Sequence, residues 1–270
     1  MGEIYIKGYS GKEVTLPLKE KHLWEVGNGR VYDVEIIFGK DVVKSYFGLR
    51  KVYFKDKKFF VNDKEVFQML VLDQGFYKVG NYTSQTVEEA TKDIDLAMEL
   101  GFNGARLHQK VFDQVYLEYA DRKGFIVWQE YGSWGLRNGY LDSLPQFKKE
   151  WEETMRMMYN HPSIVVWCPL NEAWKDFTEE AKLRDIRYCE EIYDLTHKID
   201  PSRSCVDTSG GYHSKKNDIA DFHNYFDSKQ IKQTLDDLEI EEDLIFEEDI
   251  VDMLIMDKRQ TLAVVDRFES

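Results

Sequence analysis

The stretch LGFNGARLHQKVFDQVYLEYADRKGFIVWQE, residues 100–130, decides the fold class. Two short apolar runs, Gly104–His108 and Phe125–Gln129, enclose an amphipathic stretch, Asp113–Lys123, which Gly124 ends. A glycine directly after such a stretch is a helix C-terminal signal, because glycine adopts the left-handed conformation there without strain. Short strands that alternate with helices of about ten to twenty residues are typical of a parallel sheet. The stretch therefore predicts a strand–helix–strand unit of an α/β fold.

The same rhythm continues on both sides of this unit. Further strand-like runs are Phe67–Leu72, Ile164–Pro169, Cys205–Thr208, Ile219–His223 and Leu262–Val265, and further helical stretches are Thr86–Leu100, Pro145–Tyr159, Glu179–Lys198 and Ser228–Leu238. Seven strands in this order favour a (β/α)8 TIM barrel over an open sheet, although the pattern does not decide whether the barrel closes. Because the 205 residues from Val66 to Ser270 are fewer than the roughly 250 of a typical barrel, we expect an incomplete barrel of about seven strands.

The first fifty residues have a different pattern. Tyr32–Phe38 alternates apolar and polar side chains, Gly39-Lys40 can turn the chain, and Asp41–Gly48 is a second extended run. These strands are too few for a complete β-sandwich, which needs about seven. Lys51–Phe67 then has the pattern of a small hairpin with Asn62-Asp63 at its turn.

Composition narrows the class of partner and site. Hydrophobic residues make up 43% of the chain, which supports a packed core, and the net charge of −14 argues against nucleic acid because phosphate would be repelled. The three cysteines are an odd number without CxxC spacing, so neither a disulfide framework nor a zinc site is predicted. Without a signal peptide at the N-terminus or an apolar run of about 18 residues, a cytoplasmic protein without a membrane partner is expected.

Polar and ionisable side chains stand where the apolar runs end. In TIM barrels reactive groups project from the C-terminal ends of the strands. These ends carry Asp73, Gln74, Arg106, His108, Glu130, Tyr131, Asn171, Glu172, Asp207, His223 and Tyr225, with Trp128, Trp134, Trp167 and Trp174 nearby. The simpler interpretation is that strand ends are polar because they meet solvent. A site in which aromatic faces stack on sugar rings beside carboxylates explains both kinds of residue.

The fifteen residues NHPSIVVWCPLNEAW, 160–174, end in an Asn-Glu pair at the mouth of a predicted strand. Here the chain resembles glycoside hydrolase family 2, which includes β-galactosidases, β-glucuronidases and β-mannosidases. The similarity continues in YFGLRK (46–51), LDQGFY (72–77), LGFNGARLHQ (100–109), ADRKGFIVWQE (120–130) and DFHNY (221–225). It implies that residues 1–50 are a partial immunoglobulin-like β-sandwich segment and that residues 51–270 are the catalytic TIM barrel, truncated near the seventh strand.

The resemblance implies retaining cleavage of terminal β-linked sugars by double displacement. Glu172 matches the family's general acid/base, which protonates the leaving glycosidic oxygen and later deprotonates water, and Asn171 matches the residue that holds the sugar 2-hydroxyl. The other substrate-binding residues implied are Arg106, His108, Asp73, Glu130, Trp167, His223 and Tyr225. The resemblance implies a carbohydrate substrate, no metal site and no cofactor, although some relatives use magnesium or sodium.

The nucleophile departs from the family pattern. The family supplies this carboxylate at the end of the seventh strand in a Ser-Glu-Phe-Gly-Gly type of motif, whereas the only candidate here is LAVVDRFES, 262–270. Aligning the aromatic residues puts Arg267 at the nucleophile position, and a slip of one residue brings Asp266 or Glu269 to it. Both an active β-glycosidase and an inactive, carbohydrate-binding remnant therefore stay open.

Two further expectations concern partners and the rival fold. The resemblance implies that the amino-terminal sugar-binding sandwich and the eighth strand are missing, which leaves a homo-oligomer or a separately encoded complementing fragment as a partner. A dinucleotide-dependent oxidoreductase is set aside, because the loop after the first predicted strand, Leu72–Phe76, lacks the G-x-G-x-x-G spacing of a phosphate-binding turn.

Overall fold

The computed structural model describes residues 4–55, 58–133, 141–172, 179–210, 213–219, 221 and 223. The amino-terminal part is antiparallel. Strands β1 (Tyr32–Phe38) and β2 (Asp41–Phe47) form a two-stranded ribbon, and β3 (Val52–Lys55), β4 (Lys58–Val61) and β5 (Lys64–Glu65) form a three-stranded meander. Asn62 and Asp63 both have positive φ angles, as a two-residue type I′ hairpin turn requires, so the predicted hairpin is confirmed.

A parallel sheet of five strands carries the rest of the described fold. The strands β6 (Leu70–Asp73), β7 (Gly104–Leu107), β8 (Ile126–Glu130), β9 (Ile164–Cys168) and β10 (Ser204–Cys205) lie side by side in chain order. The connecting helices are α1 (Val87–Glu99), α2 (Gln114–Lys123), α3 (Leu144–Met158) and α4 (Glu179–Ile199). The alternation read from the sequence is therefore confirmed for five strands and four helices of the described residues.

The remaining predicted elements have different outcomes. In the predicted strand Ile219–His223, the described residues Ile219, Asp221 and His223 lie outside any strand, and the other two residues are outside the described part of the chain. The predicted helix Ser228–Leu238 and the predicted strand Leu262–Val265 lie outside the described residues. None of the described helices combines the length and the apolar character needed to cross a membrane.

Each strand divides its side chains between two cores, because successive residues of a strand point to opposite faces. Ala105, Leu107 and Trp167 pack in the core that the sheet shares with the helices. Trp128 and Cys168 face the opposite core, inside the curve of the sheet. Trp167 is fully buried and its Nε1 donates to Asp200 Oδ2 at 2.9 Å, so the prediction that Trp167 binds substrate is wrong.

The amino-terminal segment covers the end of the sheet opposite to the carboxyl ends of its strands. Phe59 and Val61 of the meander share the inner core with Ile126 at the start of β8. The Trp24 indole donates to the Asp121 carbonyl at 2.8 Å, and the Arg50 guanidinium donates to the carbonyls of Pro162 and Ile164 at 2.7 and 2.6 Å. These contacts fill the inner core from below and leave the carboxyl ends of the strands open.

Asp121 is the polar centre of this lower end. Its side chain is fully buried; Oδ2 accepts from Tyr46 Oη and His161 Nδ1 at 2.7 and 2.6 Å, and Oδ1 accepts from the Ser163 amide at 2.8 Å. Because Asp121→Ala leaves these donors without their acceptor, we expect the free energy of unfolding to fall by about 2–4 kcal/mol.

Urea unfolding measures that loss, with Asp142→Ala, at an exposed position, as the matched control. A loss below about 0.5 kcal/mol for Asp121→Ala would contradict the proposed structural role, since ordinary surface substitutions stay within that range.

Candidate active site

Polar side chains from three neighbouring strands converge at the carboxyl edge of the sheet. Arg106 belongs to β7, Glu130 ends β8, and Asn171 and Glu172 follow β9. Arg106, Glu130 and Asn171 are at most 6% exposed, whereas the Glu172 side chain is 46% exposed. The first three therefore form a rigid floor, which we call the Arg106 cluster, and Glu172 is the carboxylate that a molecule from solvent can reach.

The Arg106 guanidinium holds the cluster together. Its Nε donates to Glu130 Oε1 and its Nη2 donates to Asn171 Oδ1, while the Gln109 amide donates to Glu130 Oε2 at 2.7 Å. Burial raises the pKa of Glu130, and the charge of Arg106 opposes that rise. Since a guanidinium only donates, it orients the Asn171 amide with its oxygen toward Arg106 and its NH2 group on the other side.

His108 is a neutral member of the same wall. Its Nδ1 lies 3.4 Å from Arg106 Nη2, and its side chain is 8% exposed. Burial, followed by the positive charge of Arg106, lowers the pKa of His108 to about 4. At neutral pH this ring therefore offers hydrogen-bonding nitrogens without a charge.

Glu172 is held in an unusual backbone conformation. Its φ angle of 43° lies in the left-handed region, which non-glycine residues enter at a cost of about 1–3 kcal/mol when surrounding contacts enforce it. The Glu172 amide donates to the Ser209 carbonyl at 2.9 Å, and Glu172 Oε1 lies 2.6 Å from His223 Nδ1. These two contacts aim the carboxyl group across the carboxyl edge toward His223.

The segment after β10 supports His223 with residues that were not recognised from the sequence. His223 Nε2 lies 3.0 Å from Ser209 Oγ, and Ser209 Oγ donates to Asp221 Oδ2 at 2.6 Å. His213 lies against Asp221 in turn. The local signal was the polar run Asp207–Gly210 directly after the buried Val206, and Asp207 is one of the polar residues predicted at the strand ends. No local pattern indicates that Ser209 and Asp221 support His223.

Gly210 determines where the His223 ring can lie. Its φ angle is 63°, and an added Cβ atom would lie far inside van der Waals distance of the His223 ring. Gly210→Ala should therefore displace the ring from Glu172 and lower kcat/KM for a cleaved glycoside about 10- to 100-fold, because small misplacements in an active site have effects of this size.

The matched control for that measurement is Gly39→Ala. Gly39 has the same φ angle of 63° with no atom within 4 Å of an added Cβ, so it carries the backbone strain without the steric contact. Equal activity losses in the two variants would show that strain alone, and not the position of His223, causes the effect.

The structure brings most of the predicted site residues together. The converging residues are Arg106, His108, Glu130, Asn171, Glu172 and His223. Asp73 does not join them: at the end of β6, its carboxylate accepts from the Gly75 amide at 2.7 Å and from Tyr116 Oη at 3.3 Å, so it faces α2. Trp167 is in the helix-facing core. Tyr225, Asp266 and Glu269 lie outside the described residues.

This arrangement suits proton transfer. An accessible carboxyl group in hydrogen-bond contact with an imidazole, beside an oriented amide donor, can give a proton to a departing oxygen and later remove one from water. The carboxylates of Glu130 and Asp221 are buried and accept several hydrogen bonds, so both position their neighbours. Within the part of the chain that the structure describes, no group of three His, Cys, Asp or Glu residues is arranged to hold a metal ion.

A family model and individual sequence relatives both match this chain to glycosyl hydrolases. The sequence model described as "Glycosyl hydrolases family 2, TIM barrel domain" matches residues 52–249. A β-glucuronidase of Streptococcus agalactiae serotype V is 29% identical over 220 residues, which are 72% of this chain and 35% of the relative. A β-galactosidase of Leuconostoc mesenteroides is 25% identical over 235 residues, 82% of this chain and 21% of the relative. The chain thus spans about a third or less of these relatives.

A solved structure supports the fold. The β-glucuronidase of Bifidobacterium dentium complexed with coumarin-3-O-glucuronide superposes with a TM-score of 0.70 at 19% identity, covering 84% of this chain and 40% of that chain. The predicted TIM-barrel class is therefore confirmed, with five parallel strands of the barrel in the described residues.

Proposed function

Since this chain belongs to glycosyl hydrolases family 2 through the TIM barrel domain of that family, we propose that it hydrolyses terminal β-linked sugars with Glu172 as the general acid/base. The observation that carries the proposal is the contact of the Glu172 carboxyl group with His223 at 2.6 Å, at the open carboxyl edge and beside Asn171. A general acid must be reachable by substrate and must hold a proton close to neutral pH, and this contact provides a partner for that proton.

The proposed chemistry is a retaining double displacement. In the first step Glu172 gives its proton to the glycosidic oxygen as the bond to the sugar breaks, and in the second it removes a proton from the attacking water. Arg106 holds Asn171 Oδ1, so the NH2 group of Asn171 is oriented to donate to the 2-hydroxyl of the sugar. Such a bond strengthens as charge develops on the ring in the transition state.

A second carboxylate is required as the nucleophile of this mechanism, about 5–5.5 Å from the acid/base. We assign it to Asp266 or Glu269, both outside the described residues. The competing proposal is a carbohydrate-binding remnant without turnover, and the specific observation in its favour is Arg267 at the nucleophile position.

The experiment that separates the two uses p-nitrophenyl β-D-glucuronide and p-nitrophenyl β-D-galactoside, since the relatives include enzymes named for both sugars. Release of p-nitrophenol from either substrate supports the hydrolase. No release, combined with heat of binding for glucuronic acid or galactose in a calorimeter, supports the remnant. Sedimentation of the same sample tests the homo-oligomer, which stays a prediction, as does the complementing fragment.

A further inference from the structure

A continuous series of polar contacts leads from Glu172 into the segment after β10. Glu172 Oε1 meets His223 Nδ1 at 2.6 Å, His223 Nε2 meets Ser209 Oγ at 3.0 Å, and Ser209 Oγ meets Asp221 Oδ2 at 2.6 Å. Beyond Asp221 the series continues to His213 Nε2, which lies 3.3 Å from Asp221 Oδ1, and His213 Nδ1 lies 2.7 Å from Asp207 Oδ1. Ser209, Asp207 and Asp221 are all buried.

The single hydroxyl proton of Ser209 decides how this series is protonated. A carboxylate only accepts, so the short contact with Asp221 takes that proton. The Ser209 oxygen then presents a lone pair to His223 Nε2, which must carry a proton to make the bond. Arg106 Nη1 disfavours a proton on Nε2, because it is itself a donor 3.4 Å from that nitrogen. Its contact with Nε2 is longer than the 3.0 Å contact of Ser209 Oγ.

The surroundings of Asp221 keep its carboxylate ionised. Oδ1 accepts from the Gly210 amide at 3.0 Å and lies 3.3 Å from His213 Nε2. Burial lowers the pKa of His213, but the hydrogen bonds with Asp207 and Asp221 outweigh it and raise that pKa to about 10. Burial likewise opposes ionisation of Asp221, while His213, Arg106 and Ser209 together lower its pKa. The His213 ring therefore lies between two carboxylates that favour its protonated form.

We propose that Asp221 and Ser209 are positioning residues that keep a proton on His223 Nε2, so that the contact between His223 Nδ1 and Glu172 Oε1 holds the proton used for general acid catalysis. With Nε2 protonated, the short contact needs one more proton, which lies on Glu172 when the ring is neutral or on Nδ1 when the ring is charged. This inference rests on the proposed function only for the use of that proton, and not for its location.

Proton transfer accompanies the first displacement. The second carboxylate of the proposed mechanism bonds to the sugar carbon as the glycosidic bond breaks, the electron pair of that bond stays on the departing oxygen, and the proton of the contact moves through Glu172 to this oxygen. Glu172 is left as a carboxylate, ready to remove a proton from water. Among the residues that the structure describes, the groups facing His223 include Glu172 after β9, Arg106 and His108 from the β7 side, and Asp221, with His213 behind it, from the segment after β10.

Nuclear magnetic resonance of the full chain labelled with 15N-histidine tests the location of the proton. The His223 signals are those lost in His223→Asn, and we expect protonated Nε2 in the unsubstituted chain. In Asp221→Asn the Gly210 amide and His213 hold the side-chain oxygen at the former Oδ1 position, so the new NH2 group faces Ser209. This NH2 group donates to Ser209 Oγ, and the Ser209 hydroxyl then donates to His223 Nε2. We therefore expect His223 to carry its proton on Nδ1 with Nε2 unprotonated. An unchanged Nε2 proton in the folded variant overturns the proposal.

Ser209→Ala and Ser209→Thr give a second test that does not alter the buried charges. Without the hydroxyl group, Arg106 is left as the donor facing Nε2, so alanine should also move the proton to Nδ1, and threonine should restore it. Circular dichroism identifies any variant that does not fold. Retention of the Nε2 proton in folded Ser209→Ala contradicts the proposal independently of Asp221→Asn.

Kinetics with a leaving-group series tests the use of the proton. Phenyl β-glycosides need acid assistance, whereas 2,4-dinitrophenyl β-glycosides need little, so Ser209→Ala should slow the former about tenfold or more and the latter much less.

The pH profile of kcat/KM gives a further readout. Loss of the negative charge in Asp221→Asn should move the basic limb of this profile to lower pH by about one unit. Equal losses for all leaving groups overturn the proposal. If the unsubstituted chain cleaves no glycoside, the proposed function fails while the magnetic resonance still decides the inference.

Discussion

If Glu172 is the general acid/base proposed above, we expect Glu172→Gln to lower kcat for a phenyl β-glycoside by about 10²- to 10⁴-fold, which is the usual contribution of such a group. Glutamine keeps the shape of the side chain and can still form a hydrogen bond with His223 Nδ1, but it has no acidic proton to give and cannot take one from water. Because this side chain is 46% exposed, the substitution should leave the free energy of unfolding nearly unchanged. Initial rates on the phenyl and p-nitrophenyl glycosides, with urea unfolding of the same sample, measure both quantities.

The matched control is Glu153→Gln, at an exposed position of helix α3 far from the carboxyl edge. It removes the same charge from the chain and should leave kcat within about twofold, because surface charges at this distance are screened by salt. If Glu172→Gln retained more than a tenth of the original kcat on the phenyl glycoside, Glu172 would not be the acid/base.

Arg106→Met is expected to have the largest effect on stability. Arg106 and Glu130 are 5% and 1% exposed at the side chain, and removing one partner of such a buried pair leaves an uncompensated charge, at a cost of about 3–5 kcal/mol. Asn171 loses its orienting donor at the same time, so activity should be lost as well. Thermal and urea unfolding measure the change, with Arg156→Met, in an exposed pair with Glu152, expected within about 0.5 kcal/mol of the unsubstituted chain.

The stability of the Arg106→Met variant should depend on pH in one direction. Burial raises the pKa of Glu130 even with Arg106 present, and without Arg106 the folded-state pKa rises further above the unfolded value. The folded chain then binds more protons than the unfolded chain between these two pKa values. The free energy of unfolding of Arg106→Met is therefore highest below the unfolded-state pKa of glutamate, about 4.3, and falls as pH rises from there through the folded-state pKa of Glu130.

A double variant separates the buried charge from the rest. Adding Glu130→Gln to Arg106→Met removes the charge but keeps an oxygen that accepts from the Gln109 amide. We expect most of the lost stability to return and the slope with pH to disappear, while activity stays low because Asn171 is still unheld. If stability did not return, lost packing around Arg106 would be the cause instead of the unpaired carboxylate.

Local features of this chain followed from the sequence because their causes are local. The turn at Asn62-Asp63 and the helix end at Gly124 depend on which residues accept a positive φ angle, and the observed angles of 52°, 65° and 74° agree with that. Alternating apolar runs and amphipathic stretches indicated parallel strands between helices, and the first four of the predicted barrel strands lie within a few residues of their predicted bounds.

Trp167 shows what the alternation of a strand decides only after one neighbour has been placed. It stands one residue before Cys168 in β9, so the two side chains must face opposite sides of the sheet. Cys168 lies near Glu130 and in the inner core, which leaves the helix-facing side for Trp167. The sequence does not say which side is the inner one, so its place near a strand end was not enough to identify Trp167 as a sugar platform.

The sequence by itself determined which edge of the sheet carries the site: parallel strands put their carboxyl ends at one edge, and Arg106, Glu130, Asn171 and Glu172 lie there, although Asp73 at the end of β6 faces α2 instead. Only the tertiary structure decided how they are held. The contacts of His223 with Glu172, 51 residues away, and with Ser209, 14 residues away, depend on the packing of the segment after β10 against β9. Hydrogen bonds need atoms within about 3 Å, and no spacing of residues in a sequence specifies distances of that kind between separate segments.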